Sequence, residues 1–93
     1  MRYAIRVPAD LSRLIARLHP ELRRKLRAAV ADLEKDAKLG KALTGELRGY
    51  WSLRVGKFRL IYRLATDRRI ELLAFGPRAT IYEQTVRLIS SRK

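Results

Sequence analysis

The sequence predicts an α+β domain over residues 1–93, with an N-terminal strand, a helical hairpin, a three-stranded antiparallel meander and a C-terminal helix. Three observations predict it. Residues 2–7 alternate between two faces as a strand does, and residues 10–35 carry apolar side chains at helical spacing with a break at His19-Pro20. After Tyr50, three apolar runs of strand length are separated by two short turn sequences. Strands before and after a pair of helices, with no regular β-α alternation, indicate a helical hairpin packed on one face of a sheet.

Each element has a local reason. In RYAIRV, Tyr3, Ile5 and Val7 share one face and Arg2, Ala4 and Arg6 the other, a half-buried strand that Pro8 ends. Asp10 is placed to cap a helix whose apolar positions are Leu11, Leu14, Ile15 and Leu18. That helix stops at His19, because the residue before a proline is pushed out of the helical region. Pro20 then opens a second helix with Glu21 near its positive end. Leu22, Leu26, Ala29, Val30 and Leu33 form its apolar stripe; Arg23, Arg24, Lys25 and Arg27 occupy the rest of its circumference, a cluster that reads either as a nucleic-acid patch or, as is commoner at helical spacing, as a solvated face.

Residues 36–49 hold three of the five glycines and no sustained period, which reads as a loop. WSLRV and FRLIYRLA are two strands joined by Gly56-Lys57, with glycine first as a type II′ turn requires. Thr66-Asp67-Arg68 turns the chain again into RIELLAF, apolar enough to lie inside a sheet. Gly76-Pro77 breaks that strand, and Thr80 is placed to cap a last helix bearing Ile81, Thr85, Val86, Leu88 and Ile89.

Composition excludes several classes. The 93 residues contain no cysteine and one histidine, His19, so disulfide frameworks, thiolate zinc sites and cysteine nucleophiles are out. No residue set points to a metal or other cofactor. No apolar run approaches the ~18 residues of a membrane span, and the N-terminus lacks the apolar core of a signal peptide, so the expectation is a cytoplasmic protein. Twenty-two Lys or Arg against nine Asp or Glu leave a net charge of +13, which directs attention to anionic partners.

The charge is unevenly placed. Residues 48–93 carry eleven basic and three acidic side chains, a net of +8. Strand alternation puts Arg59 and Arg63 with Ile61 on one face, with Arg54 a strand away and Arg78 just past the third strand. Guanidinium groups match phosphate oxygens with a planar fork of donors. Trp51, Phe58 and Tyr82 add aromatic planes to the region, with packing into the core the equal alternative for Trp51 and Phe58. Arginines interleaved with aromatics on a sheet favour single-stranded RNA, whose bases are free to stack. Cleavage of RNA needs no external nucleophile, because the 2′-hydroxyl attacks the adjacent phosphate once it is aligned and the developing charge is stabilised.

The stretch LTGELRGYWSLRVGKFRLIYRL, followed by GPRATIYE, resembles the RelE/ParE toxins of type II toxin-antitoxin pairs, with their W-x-x-R-V-G-x-(F/Y)-R-x-x-Y hairpin and later G-x-R-x-x-x-Y motif. The resemblance covers essentially the whole chain and implies a RelE-like, microbial-ribonuclease-like sheet. In the RelE branch it implies a metal-independent, ribosome-dependent endoribonuclease that cleaves mRNA in the A site and inhibits translation. By position it implies catalytic roles for Arg59, Arg78 and Tyr82 and a further basic position at Arg54; with the basic sheet face, the expected RNA contacts are Arg54, Lys57, Trp51, Arg63 and Lys41. Tyr50 and Ser52 stand where some members carry lysines, Lys41 where others carry a carboxylate, and Pro77 where a histidine is common. That leaves Lys41, Lys57 and Tyr82 as the groups available to move a proton. The ParE-like branch, which poisons DNA gyrase through protein contacts, is the alternative. Either branch implies a cognate antitoxin, acidic where it wraps the toxin.

Overall fold

The computed structural model describes residues 2–91, in the order β1 (Ala4–Arg6), α1 (Ala9–Ala16), α2 (Pro20–Lys35), β2 (Lys41–Ala42), a 3-10 turn at Gly45–Leu47, β3 (Tyr50–Val55), β4 (Phe58–Ala65), β5 (Arg69–Pro77) and α3 (Arg78–Ser91). One five-stranded sheet runs β1-β5-β4-β3-β2, with β1 parallel to β5 and the other pairings antiparallel. The α+β arrangement is as expected, with three layers: α1 and α2 on one face, the sheet, and α3 on the other.

The hairpin face holds the larger core, built from Leu11, Leu26, Leu33, Ala37, Val55, Leu60, Tyr62, Ile70, Leu72 and Phe75. Full burial of each large side chain contributes about 1.5–3 kcal/mol. The stripe of α2 supplies Leu26 and Leu33 to this core, but Leu14 on α1 is left exposed. On the opposite face Ile81 of α3 closes over Ile61 and Leu73. A bulge sends Leu73 there. Ile61 pairs with Ala74 and Tyr62 with Leu72, so Leu73 is the extra residue and joins Ala74 on the α3 side.

Several boundaries differ from the sequence reading. The helix α1 begins at Ala9 after Pro8 and makes no side-chain cap; Asp10 instead pairs with Arg13 within the first turn. It ends at Ala16, two residues before Leu18. His19 caps α2, its Nδ1 accepting the Glu21 N–H at 3.2 Å. Gly76-Pro77 does not break β5, because Pro77 sits opposite Phe58 at the end of the ladder, where its missing N–H is tolerated. The last helix therefore starts at Arg78, with Thr80 inside its first turn. The region read as a loop contains β2, which adds a fifth strand by pairing Lys41 with Ser52 and Ala42 with Trp51.

The turns follow their residues. Gly56 takes φ +63° while Lys57 does not, the pattern of a type II′ hairpin. Asp67 and Arg68 both adopt positive φ, at 59° and 56°. Arg68 is held there by its carbonyl, which accepts the Ala4 N–H at 2.8 Å, and by its guanidinium over the Tyr3 ring at 5.4 Å.

Candidate functional site

A cleft of about 280 Å³ opens where the β3–β4 hairpin meets the start of α3, lined by Arg54, Gly56, Lys57, Phe58, Arg59 and Arg78. Backbone register builds it. Arg54 lies opposite Arg59, and Arg59 opposite Gly76, so the two guanidiniums share a face and the chain reaches Arg78 two residues later. Gly76 permits the close approach of α3, since a Cβ there would lie 3.1 Å from Ile81 Cδ1. Arg54 Nε donates to the Gly56 carbonyl at 3.2 Å, tying that side chain to the turn.

None of the cleft's four cations has a carboxylate partner among the described residues. The ion pairs there are Arg6–Glu71, Arg63–Glu71, Arg13–Asp10 and Arg87–Glu83. Unpaired like charges repel by roughly 0.5 kcal/mol per pair at ~8 Å in water, and by more where water is excluded. A bound anion removes that cost.

Tyr82 lies one helical turn after Arg78, half-buried, with its hydroxyl 3.1 Å from Ser52 Oγ. Ser52 is 1% exposed and two residues before Arg54 on β3, about 7 Å along the same face. Lys41 stands across from Ser52 in register and shares that face. Arg54, Lys57, Arg59 and Arg78 thus surround the cleft, and Tyr82, Ser52 and Lys41 form the next step of the same surface.

Two candidates lie elsewhere. Trp51 is on the hairpin face, stacked on Tyr62 at 6.3 Å between centroids and packed against the larger core. Arg63 is on the cleft face but four residues along β4 from Arg59, about 13 Å away. Its Nε donates to Glu71 Oε1 at 2.6 Å, and Arg6 reaches the other carboxylate oxygen at 3.4 Å. The Arg63 hydrogen bond, followed by its charge and the weaker contacts of Arg6, holds the Glu71 carboxyl below its ordinary value of 4.5. Gly76 and the buried Ser52 belong to the site although the sequence assigns neither a role: Ser52 stands there only as a departure at a lysine position and Gly76 only as a strand breaker within the GPR motif. For Ser52 the signal was present, because alternation places it in the row of Arg54. Among the described residues no group of three His, Asp or Glu gathers as a metal site requires. No helix there is long and apolar enough to cross a membrane.

A strand, a helical hairpin and a meander deliver basic side chains to the seam with a last helix. Residues 2–82 match the family model described as the ParE toxin of the type II toxin-antitoxin system, parDE, and the chain belongs to that RelE/ParE family. Among solved structures it is similar to a chain of the toxin-antitoxin complex RelBE2 from Mycobacterium tuberculosis, at 28% identity and TM-score 0.74 over 84% of this chain and 100% of that one. It shares its fold with a double mutant of the E. coli toxin RelE in the free state, at 14% identity and TM-score 0.77 over 99% and 98% of the two chains. It also shares its fold with a chain of the archaeal RelE-RelB complex from Pyrococcus horikoshii, at 22% identity and TM-score 0.68 over 84% and 97%. No curated protein matches it in sequence.

Proposed function

We propose that this toxin is a ribosome-dependent endoribonuclease that cleaves mRNA in the A site and thereby inhibits translation. The observation that carries the reading is the cleft of four unpaired cations, Arg54, Lys57, Arg59 and Arg78, one step from the Tyr82 hydroxyl. The chemistry is an in-line transfer: the 2′-hydroxyl oxygen bonds to the neighbouring phosphorus, the bond to the 5′-oxygen breaks, and a 2′,3′-cyclic phosphate and a 5′-hydroxyl result. Arg59 and Arg78 neutralise the pentacoordinate phosphate, and Arg54 and Lys57 hold its flanks. Tyr82 orients the 2′-hydroxyl. Two protons must move, one leaving the nucleophile and one reaching the leaving oxygen, and Lys57, Tyr82 and the more distant Lys41 are the candidate groups. The toxin acts in the cytoplasm, and an acidic antitoxin segment covers the same cations when the pair is assembled.

Primer extension on a translated message with purified ribosomes tests this. The wild-type toxin should cut within A-site codons, with each of Arg59→Ala and Arg78→Ala about 10²–10³-fold slower. The absence of cuts at any toxin concentration would sink the proposal. If trapped gyrase-DNA complexes formed instead, with protein synthesis unaffected, the chain would be a gyrase poison.

A further inference from the structure

On the far side of the β3–β4 turn a groove of about 320 Å³ is lined by His19, Glu21, Leu22, Lys25, Gly56, Lys57 and Phe58. Gly56, Lys57 and Phe58 also line the arginine cleft, so the two depressions meet across the turn. The turn is low there because Gly56 has no side chain, and a Cβ built on it would meet only Lys25 Cδ and Nζ, both at 4.0 Å. The ammonium of Lys25 therefore rests against the turn beside Lys57, and neither lysine has a carboxylate partner among the described residues. Phe58 is half-buried. One side of its ring stacks on Phe75 at 5.2 Å, and the remainder borders both depressions.

We propose that this groove is a second nucleotide subsite, in which Lys25 takes the phosphate and Phe58 the base of a residue flanking the scissile position, with Lys57 lying between this phosphate and the scissile one. The proposal rests on the ribonuclease reading and extends it from one phosphate to a strand path over the hairpin turn. The groove's own carboxylate, Glu21, repels a phosphate, so the phosphate sits at the Lys25–Lys57 end. His19 Nδ1 is occupied as an acceptor from the Glu21 N–H, so in the neutral ring Nε2 carries the proton and is a donor for a base or ribose oxygen. The occupant is single-stranded RNA because the groove offers an aromatic edge between cations. Leu22 and Phe58 are its only large apolar side chains, too few for the stripe of an amphipathic helix.

The experiment measures affinity of the purified full-length toxin for two- and four-nucleotide RNAs made uncleavable by 2′-deoxy substitution, across a range of salt. The tetranucleotide should bind more tightly than the dinucleotide. Lys25→Ala should remove most of that difference, reduce the log-log salt slope by about 0.7, and leave the dinucleotide unaffected. Phe58→Leu should weaken the tetranucleotide roughly fivefold or more, with circular dichroism confirming that the variant is folded. Unchanged tetranucleotide affinity and slope in Lys25→Ala, while the wild type binds RNA, would overturn the subsite and leave the catalytic reading intact. A wild type that binds neither RNA, or both equally, would overturn the subsite, while the ribosome-dependent reading stands or falls by the primer-extension assay. A Lys25→Glu variant that loses only an acidic antitoxin peptide, with RNA affinity unchanged, would reassign the groove to a protein partner.

Discussion

Arg59 and Arg63 look alike in sequence, sharing a strand face with one apolar residue between them. Partnership separates them. Arg63 and Arg6 are consumed by Glu71, which sits opposite both in register, whereas Arg59 has no carboxylate. Alternation assigns a residue to a face, but it does not show which charges on that face are already neutralised. Trp51 exposes the same limit, because the pattern W-S-L-R leaves open which face carries the helices. The Glu71 ion pairs carry a pH signature. Since the folded carboxyl titrates below its ordinary 4.5, its stabilisation is complete above that value and is lost as pH falls through the folded one. Glu71→Gln should cost about 0.5–1 kcal/mol at pH 7 in urea melts. Variant and wild type should converge as acid protonates the carboxylate.

At the scale of elements, α2, β3, β4 and the Gly56 turn were legible because each is specified locally by periodicity, Pro20 or a turn glycine. The strand β2 was not. Two residues of strand have no period to detect, and β2 is held from a distance by Tyr62. That hydroxyl accepts the Gly40 N–H and donates to the Ala37 carbonyl, both at 3.0 Å, immediately before Lys41. Gly40 itself is pressed on the sheet, where a Cβ would lie 2.7 Å from the Ser52 carbonyl oxygen and 2.8 Å from the Tyr62 hydroxyl. Tyr62→Phe leaves two backbone groups without their partner and should cost about 1–3 kcal/mol. Amide exchange should quicken at Gly40 through Ala42. Burial raises the Tyr62 pKa above its ordinary 10.0, so its contribution is intact below that pH and declines as pH rises through the folded value. Tyr62→Phe should lack that decline in alkaline melts.

For the whole molecule, the +13 charge announced an anionic partner without placing it. The fold converts part of that excess into a local device: four cations at one seam, kept apart from the four arginines that the acidic side chains neutralise. RNA affinity should fall with added salt, with a log-log slope of about −0.7 for each phosphate the seam neutralises. Arg63→Ala should leave that slope unchanged and Arg59→Ala should flatten it, a comparison that separates the seam from the bulk charge by titration alone.

The parallel pairing of residues 4–6 with 69–71 also sets an order of events during biosynthesis. The strand β1 has no partner until β5 exists, and Arg78 and Tyr82 come later still. Any chain arrested before residue 69 therefore carries an unpaired β1 and a cleft that lacks Arg78. Translation that is cut short before residue 78 yields a fragment without a complete cleft, and the site closes only once Arg78 and Tyr82 have been made.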